Sequence, residues 1–329
     1  MTVGVLQQGL QPISPALLYG RQDKDDWRIG EVVRVSTLEQ LGEHETDLIV
    51  LGVPDDRAVV AIGGRPGANR GPSEIRRAWF RMTLGDRNQL GRFHIADVGD
   101  VRLLDTIEET HLRVENIVKW LFANTSARVL LLGGGHDIAY PHFAGLIDCC
   151  KHQKRVGIVN VDAHFDVRPV VEGINSGTAF WRLLEKGDER FRGHELVEFG
   201  VQYHSTSHAH RRYLEQRGAT IVMLEESGPT GHVQAFAKSL DSLGKWAHTI
   251  GVSFDMDSVR MADAHGVSAP SPVGLSAADA SAIAFLSGRD KRIRTLGIYE
   301  VSPPLDDGTA VRLAALMCQQ YATGIASSR

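Results

Sequence analysis

At 329 residues with a net charge of −4, the chain is long enough to bury a core without disulfide support and carries no basic footprint for nucleic acid. No apolar run approaches the ~20 residues of a membrane span. Cys149 and Cys150 are adjacent and Cys318 is the only other thiol; with no secretory leader at the N-terminus, a reducing cytoplasm is expected.

Residues 1–40 have mixed polarity and little periodicity, and read as an N-terminal arm with room for one helix. An apolar run at 47–53 reads as the first strand, and a helical pattern covers 106–124. The run 129–132 then enters Gly133-Gly134-Gly135-His136-Asp137, followed by a helical pattern over 139–151. The run 156–161 leads into Asp162-Ala163-His164-Phe165-Asp166. Further strand-like runs lie at 196–201, 220–224, 249–254 and 293–299, with helical patterns at 233–243, 277–286 and 309–321. Alternating helices and near-continuous apolar strands predict a mostly parallel sheet covered on both faces. No Pro/Ser-rich linker, charge block or repeat divides the chain, so residues 1–329 are expected to form one domain.

In such a fold sites gather at the carboxyl ends of strands. Asp162, His164 and Asp166 are spaced two apart, so an extended backbone turns all three to one side, roughly 6.6 Å between successive ones. Asp255 and Asp257 repeat that spacing after the run 249–254, and His136 follows the glycines after 129–132. Two imidazoles and four carboxylates are enough for two divalent cations. Asp162 and Asp255 are the candidates to bridge, with His136 and Asp166 completing one ion and His164 and Asp257 the other. Mixed carboxylate and imidazole ligation suits manganese, with iron, cobalt or zinc also admissible, and such a pair ionises a shared water near neutral pH.

At these residues the chain resembles the arginase–agmatinase (ureohydrolase) family, and within it the formimidoylglutamase branch. The segments carrying the resemblance are Gly133 to Asp137, Asp162 to Asp166, Ser253-Phe254-Asp255-Met256-Asp257, Glu300-Val301-Ser302-Pro303-Pro304, and the loop Gly67-Ala68-Asn69-Arg70-Gly71-Pro72 with Ile75-Arg76. The resemblance implies a three-layer α/β/α sandwich, a dimanganese centre on the six ligands named above, and hydrolysis of a C–N bond in an amidine or guanidine. It implies that Glu300 pairs with the cationic group of the substrate, which suits a carboxylate facing paired N–H donors. Homo-oligomers are expected by the same analogy.

Arg168 follows Asp166 by two and points toward the same cleft. Where arginases carry Asn there to hold the substrate carboxylate, Arg is a bidentate receptor suited to a diacid. Ser176 stands where arginases and agmatinases place a proton-shuttling His, and the segment Gly200 to Ser205 lacks the acid that grips a free α-ammonium in arginases. The implied substrate is therefore N-formimidoyl-L-glutamate, cleaved to L-glutamate and formamide in histidine degradation. Arg168, Ser176, Thr178, Asn69 and Arg70 are the candidates to anchor its carboxylates, and Asp166 or a water the candidate to protonate the leaving amine. The competing readings are another ureohydrolase (arginase, agmatinase or guanidino-acid hydrolase) and a non-catalytic metal-binding relative. Arg76-Arg77 and Arg211-Arg212 read as solvated helix faces, His204, His208 and His210 as a surface loop and helix start, and Gly63-Gly64 as no phosphate loop, since no Gly-Lys-Ser/Thr follows.

Overall fold

The computed structural model describes residues 2–150 and 154–328. Ten strands form one sheet: β1 (Leu10–Gln11), β2 (Arg34–Val35), β3 (Leu48–Gly52), β4 (Ile95–Val101), β5 (Arg128–Leu132), β6 (Val156–Val161), β7 (Leu196–Val201), β8 (Thr220–Met223), β9 (Thr249–Asp255) and β10 (Ile293–Tyr299). The order across the sheet is β1-β4-β3-β5-β10-β9-β6-β7-β8, with β2 also paired to β4. Only the β1–β4 pairing is antiparallel among these strands.

Alternation along the strands splits the core into two layers. Leu48, Val50, Leu130 and Leu132 face one side, where they pack with Ile75 and Trp79 of helix Gly71–Trp79, Ile283 of helix Ala277–Arg289 and Leu313 of helix Thr309–Ser327. Ile49, Leu51, Val129 and Leu131 face the other, against Val114 and Ile117 of helix Ile107–Asn124 and Phe143 of helix Ala139–Cys149. Each such aliphatic side chain contributes about 1.5–3 kcal/mol by leaving water. The expected three-layer α/β/α sandwich is the observed architecture. Among the described residues no helix is long and apolar enough to cross a membrane.

Helix ends follow local chemistry. Thr106 caps Ile107–Asn124 in a reciprocal box with Glu109, and Ser276 does the same with Asp279 for Ala277–Arg289. The helix expected over 139–151 ends at Cys149; Lys151 lies outside the described residues.

Three strands were not predicted. β1 and β2 are two residues each, too short to show a pattern. β4 carries Asp97, Gly99 and Asp100, which interrupt its apolar run. Those aspartates also correct the reading of Arg76 as solvated. Its side chain is fully buried, donating from Nε to Asp97 at 2.7 Å and from Nη1 to Asp100 at 2.6 Å, while Arg77 is exposed as expected.

Candidate metal centre

Strands β5, β10, β9 and β6 are consecutive neighbours in the sheet. Parallel pairing brings their carboxyl ends to one edge, so four chain-distant segments meet there. β5 runs through Gly133, Gly134 and Gly135 into the turn His136–Ile138, β6 into Asp162, His164 and Asp166, β9 into Asp255 and Asp257, and β10 into Glu300. The glycine run is required by close approach: a Cβ on Gly134 would lie 2.1 Å from the Asp55 carbonyl oxygen, and one on Gly133 2.3 Å from the Tyr299 ring.

His136 Nδ1 lies 3.1 Å from Asp162 Oδ2, 2.8 Å from Asp166 Oδ2 and 3.0 Å from Asp255 Oδ2. His164 Nδ1 lies 3.4 Å from Asp162 Oδ1 and 3.1 Å from Asp257 Oδ2. The six side chains thus fall into two groups that share Asp162, which offers one oxygen to each; Asp255 joins the His136 group only. Backbone turns fix the two-residue spacing, His164 N donating to Asp162 Oδ1 at 2.7 Å and Asp257 N to Asp255 Oδ1 at 2.8 Å. Asp166 and Glu300 have positive φ, 48° and 64°. This left-handed backbone is unusual for residues with a Cβ and gathers at functional sites.

Protein groups alone do not satisfy this cluster. His136 Nε2 is 2.8 Å from Ser253 Oγ; with the ring proton there, Nδ1 turns a lone pair toward three carboxylate oxygens. His136 Nδ1, Asp257 Oδ1 and Glu300 Oε2 are buried without hydrogen-bond partners. A cation in each group would convert these repulsions into ligation, and the N/O donor set suits manganese or a similar divalent ion.

The electrostatics carry the same message. Burial opposes protonation of His136, yet Asp255, Asp162 and Asp166 outweigh it and hold its pKa well above the ordinary value. The Asp257 charge pushes His164 up to about 12 against its burial. Burial followed by the Asp162 charge raises Asp166 to about 6, and burial raises Asp255 well above the usual range, with Asp257 adding to it. Burial opposes the ionisation of Asp162, but the two imidazoles outweigh it and hold its pKa below the ordinary value. Protons and cations compete for one set of atoms.

Glu300 closes the cavity from the β10 side. Its Oε1 accepts from His136 N at 3.0 Å, and burial raises its carboxyl to about 8. The cavity, about 240 Å³, is lined by His136, His164, Asp166, Asp255, Asp257, Glu300, Arg168 and Ser176, with Asp162 buried behind them. A second cavity of about 440 Å³ adjoins it at Arg168 and reaches Asn175 and His210.

Three expected substrate contacts are not brought to this cavity. The Thr178 hydroxyl is buried and donates to the Asn175 carbonyl at 2.7 Å, because the Asn175 turn aims it inward. Asn69 and Arg70 are exposed and line neither cavity; their loop instead packs against the turn after Glu300, where a Cβ on Gly67 would lie 2.4 Å from Ser302 Oγ. Gly63, Gly64 and Ser268 also line the cavity and were not expected there. Arg65 clasps this part of the lining by donating to the carbonyls of Val267 at 2.6 Å and Ser268 at 3.0 Å. Only the paired glycines were visible as a signal. Also unforeseen is the support of the His136 turn: Arg182 Nη1 donates to His111 Nδ1 at 2.7 Å, which leaves His111 Nε2–H to donate to Asp137 Oδ2 at 2.7 Å.

The arginase family matches residues 46–323. A formimidoylglutamase from Citrobacter koseri is 31% identical over 321 residues, spanning 95% of this chain and 98% of that one. The crystal structure of Trypanosoma cruzi formiminoglutamase with manganese superposes with a TM-score of 0.83 at 29% identity, covering 93% of this chain and all of that one (100%). Formimidoylglutamase from Bacillus subtilis shares the fold at a TM-score of 0.86 and 23% identity, over 94% of this chain and 95% of that one.

Proposed function

The chain belongs to the arginase family, and from that premise we propose that it is a dimanganese hydrolase converting N-formimidoyl-L-glutamate to L-glutamate and formamide. His136, Asp162, Asp166 and Asp255 would hold one ion, and Asp162, His164 and Asp257 the other. The bound pair supplies Lewis acidity and ionises a water for attack at the amidine carbon.

The chain's own residues do the rest. Glu300 faces the cavity with an unpartnered, buried Oε2 and a carboxyl raised to about 8. An amidinium brings the cation that this group lacks; paired N–H donors on the carboxylate fix the reacting carbon and return Glu300 to its charged form. Asp166 or a water would carry a proton to the departing amine nitrogen. Arg168 stands where the two cavities meet and has no carboxylate partner among the described residues. Its guanidinium would take one carboxylate of the glutamyl portion, with Ser176 beside it and the second carboxylate extending toward His210. The three unpaired thiols support a reducing, cytoplasmic setting.

The observation that carries the proposal is the meeting, on one cavity, of a cation-deficient ligand cluster, an unpartnered Glu300 oxygen and an Arg168 with no carboxylate partner among the described residues. The test is turnover by manganese-loaded protein. Formamide and glutamate are expected from formimidoylglutamate; urea from arginine, agmatine or a guanidino acid, with no formamide, would assign the chain to another branch.

A further inference from the structure

Beneath the candidate centre lies a pair of polar side chains that no step above uses. Asn160 on β6 and Glu198 on β7 stand opposite each other in the parallel register, and both are fully buried. Asn160 Nδ2 donates to Glu198 Oε2 at 2.9 Å and reaches Asp162 Oδ2 at 3.4 Å. One oxygen on each partner, Asn160 Oδ1 and Glu198 Oε1, is buried with no hydrogen-bond partner.

An ionised carboxylate buried without a cation costs several kcal/mol, an amount escaped by keeping the proton. Burial accordingly holds the Glu198 carboxyl well above its ordinary range; the Asn160 bond opposes this without overcoming it, and the charges of Asp162 and Asp166 reinforce it. A carboxylic acid and a primary amide are complementary. The acid O–H donates to the amide oxygen while an amide N–H donates to the acid carbonyl. That closure partners both orphaned oxygens at once and leaves the second amide N–H of Asn160 for Asp162.

We propose that Glu198 is a neutral acid in a cyclic pair with Asn160, and that this pair is a positioning unit for the Asp162 carboxylate. Among the described residues Asp162 is the one side chain offering an oxygen to both ligand groups, so its rotation decides whether two ions can be held together. His164 N fixes its Oδ1 and Asn160 fixes its Oδ2. An ionised Glu198 would instead add a negative charge below four aspartates. The inference rests on the metal-centre reading, but the pair itself can be tested apart from it.

The experiment combines manganese titration of metal-depleted protein by calorimetry with infrared spectra in D2O. Glu198→Gln keeps a donor and an acceptor in the same places and is expected to bind manganese with wild-type affinity. Glu198→Leu and Asn160→Leu are expected to weaken binding about 10–100-fold, the usual range for groups supporting metal ligands. A protonated-carboxyl band, present in the wild type at neutral pH and missing from Glu198→Gln, is the spectroscopic signature. Equal losses in Glu198→Gln and Glu198→Leu would overturn the proposal, as would wild-type affinity in a folded Glu198→Leu. Absence of the band overturns it whether or not either leucine variant folds. Should the wild type take up no manganese, the metal-centre reading fails, and the band alone decides whether the neutral pair exists.

Discussion

Two buried charged clusters occupy this molecule and behave oppositely. Around Arg76 the charges close on themselves: the guanidinium donates to Asp97 through Nε at 2.7 Å and Nη2 at 3.1 Å, to the Gly99 carbonyl at 3.1 Å and to Asp100 at 2.6 Å. At the β5-β10-β9-β6 edge the carboxylates outnumber the imidazoles, and His136 Nδ1, Asp257 Oδ1 and Glu300 Oε2 are left without partners. Burial is common to both clusters and does not distinguish them. What separates structural charge from functional charge is whether the protein neutralises it with its own groups.

The sharpest break in that contrast is at Asp162. Asp162→Ala removes the carboxylate shared by both ligand groups, and kcat is expected to fall by at least about 10³-fold as the ionised water is lost. Metal analysis should find fewer than two manganese ions per chain. Retention of both the ions and the rate would remove the cluster from the chemistry. The reciprocal change is Arg76→Met, which strands the buried Asp97 and the half-buried Asp100 and is expected to lower unfolding free energy by about 3–5 kcal/mol. Urea denaturation measures this, and manganese content per folded chain should be unchanged. A variant of normal stability that cannot hold manganese would reverse the roles assigned to the two clusters.

The same contrast explains what the sequence could disclose. Five of the six candidate ligands follow apolar strands at two-residue spacing and His136 follows a strand through its glycine run, so their convergence needed only a parallel sheet and adjacency of the strands that bear them. The Arg76 cluster was illegible because its compensation is non-local: Asp97 lies 21 residues from Arg76, and its polarity breaks the apolar run by which β4 would show as a strand. Thr178 shows the limit at short range. Its hydroxyl is plain in the sequence, but the Asn175 turn decides that it points inward. Asn160 and Glu198 were hidden differently, as single polar letters within otherwise apolar strands.

Arg168 sharpens the comparison from the side of the cations. Arg76 has its donors engaged; Arg168 has no carboxylate partner among the described residues and stands between the two cavities. Arg168→Ala is expected to raise KM for the diacid about 10–100-fold, the magnitude of one charge-assisted hydrogen-bonded contact. Bound manganese and the thermal transition should be those of the wild type. An unchanged KM in steady-state assays would take Arg168 out of substrate recognition.

The smallest expected effect separates the clusters by pH. His164 is pushed up to about 12 by the Asp257 charge, and His136 is raised well above its ordinary value despite its burial. A folded-state pKa raised above the unfolded one contributes stability that is complete below about pH 6.5 and diminishes as pH rises toward the folded value. Ligation needs the neutral rings, so manganese must displace those protons, and its affinity climbs with pH. Asp166, raised to about 6, adds to the trend, being increasingly protonated below that pH. Each tenfold gain in affinity adds about 1.4 kcal/mol of stabilisation, or about 2 °C in a chain of this size. The manganese-induced rise in Tm is therefore expected to be a few degrees greater at pH 8 than at pH 6 in thermal-shift measurements. Arg76 stays charged throughout that window, so Asp162→Ala, which keeps the Arg76 cluster but not the shared ligand, should lose the pH-dependent increment. An increment equal at both pH values in the wild type would mean that protons and manganese do not compete for these side chains.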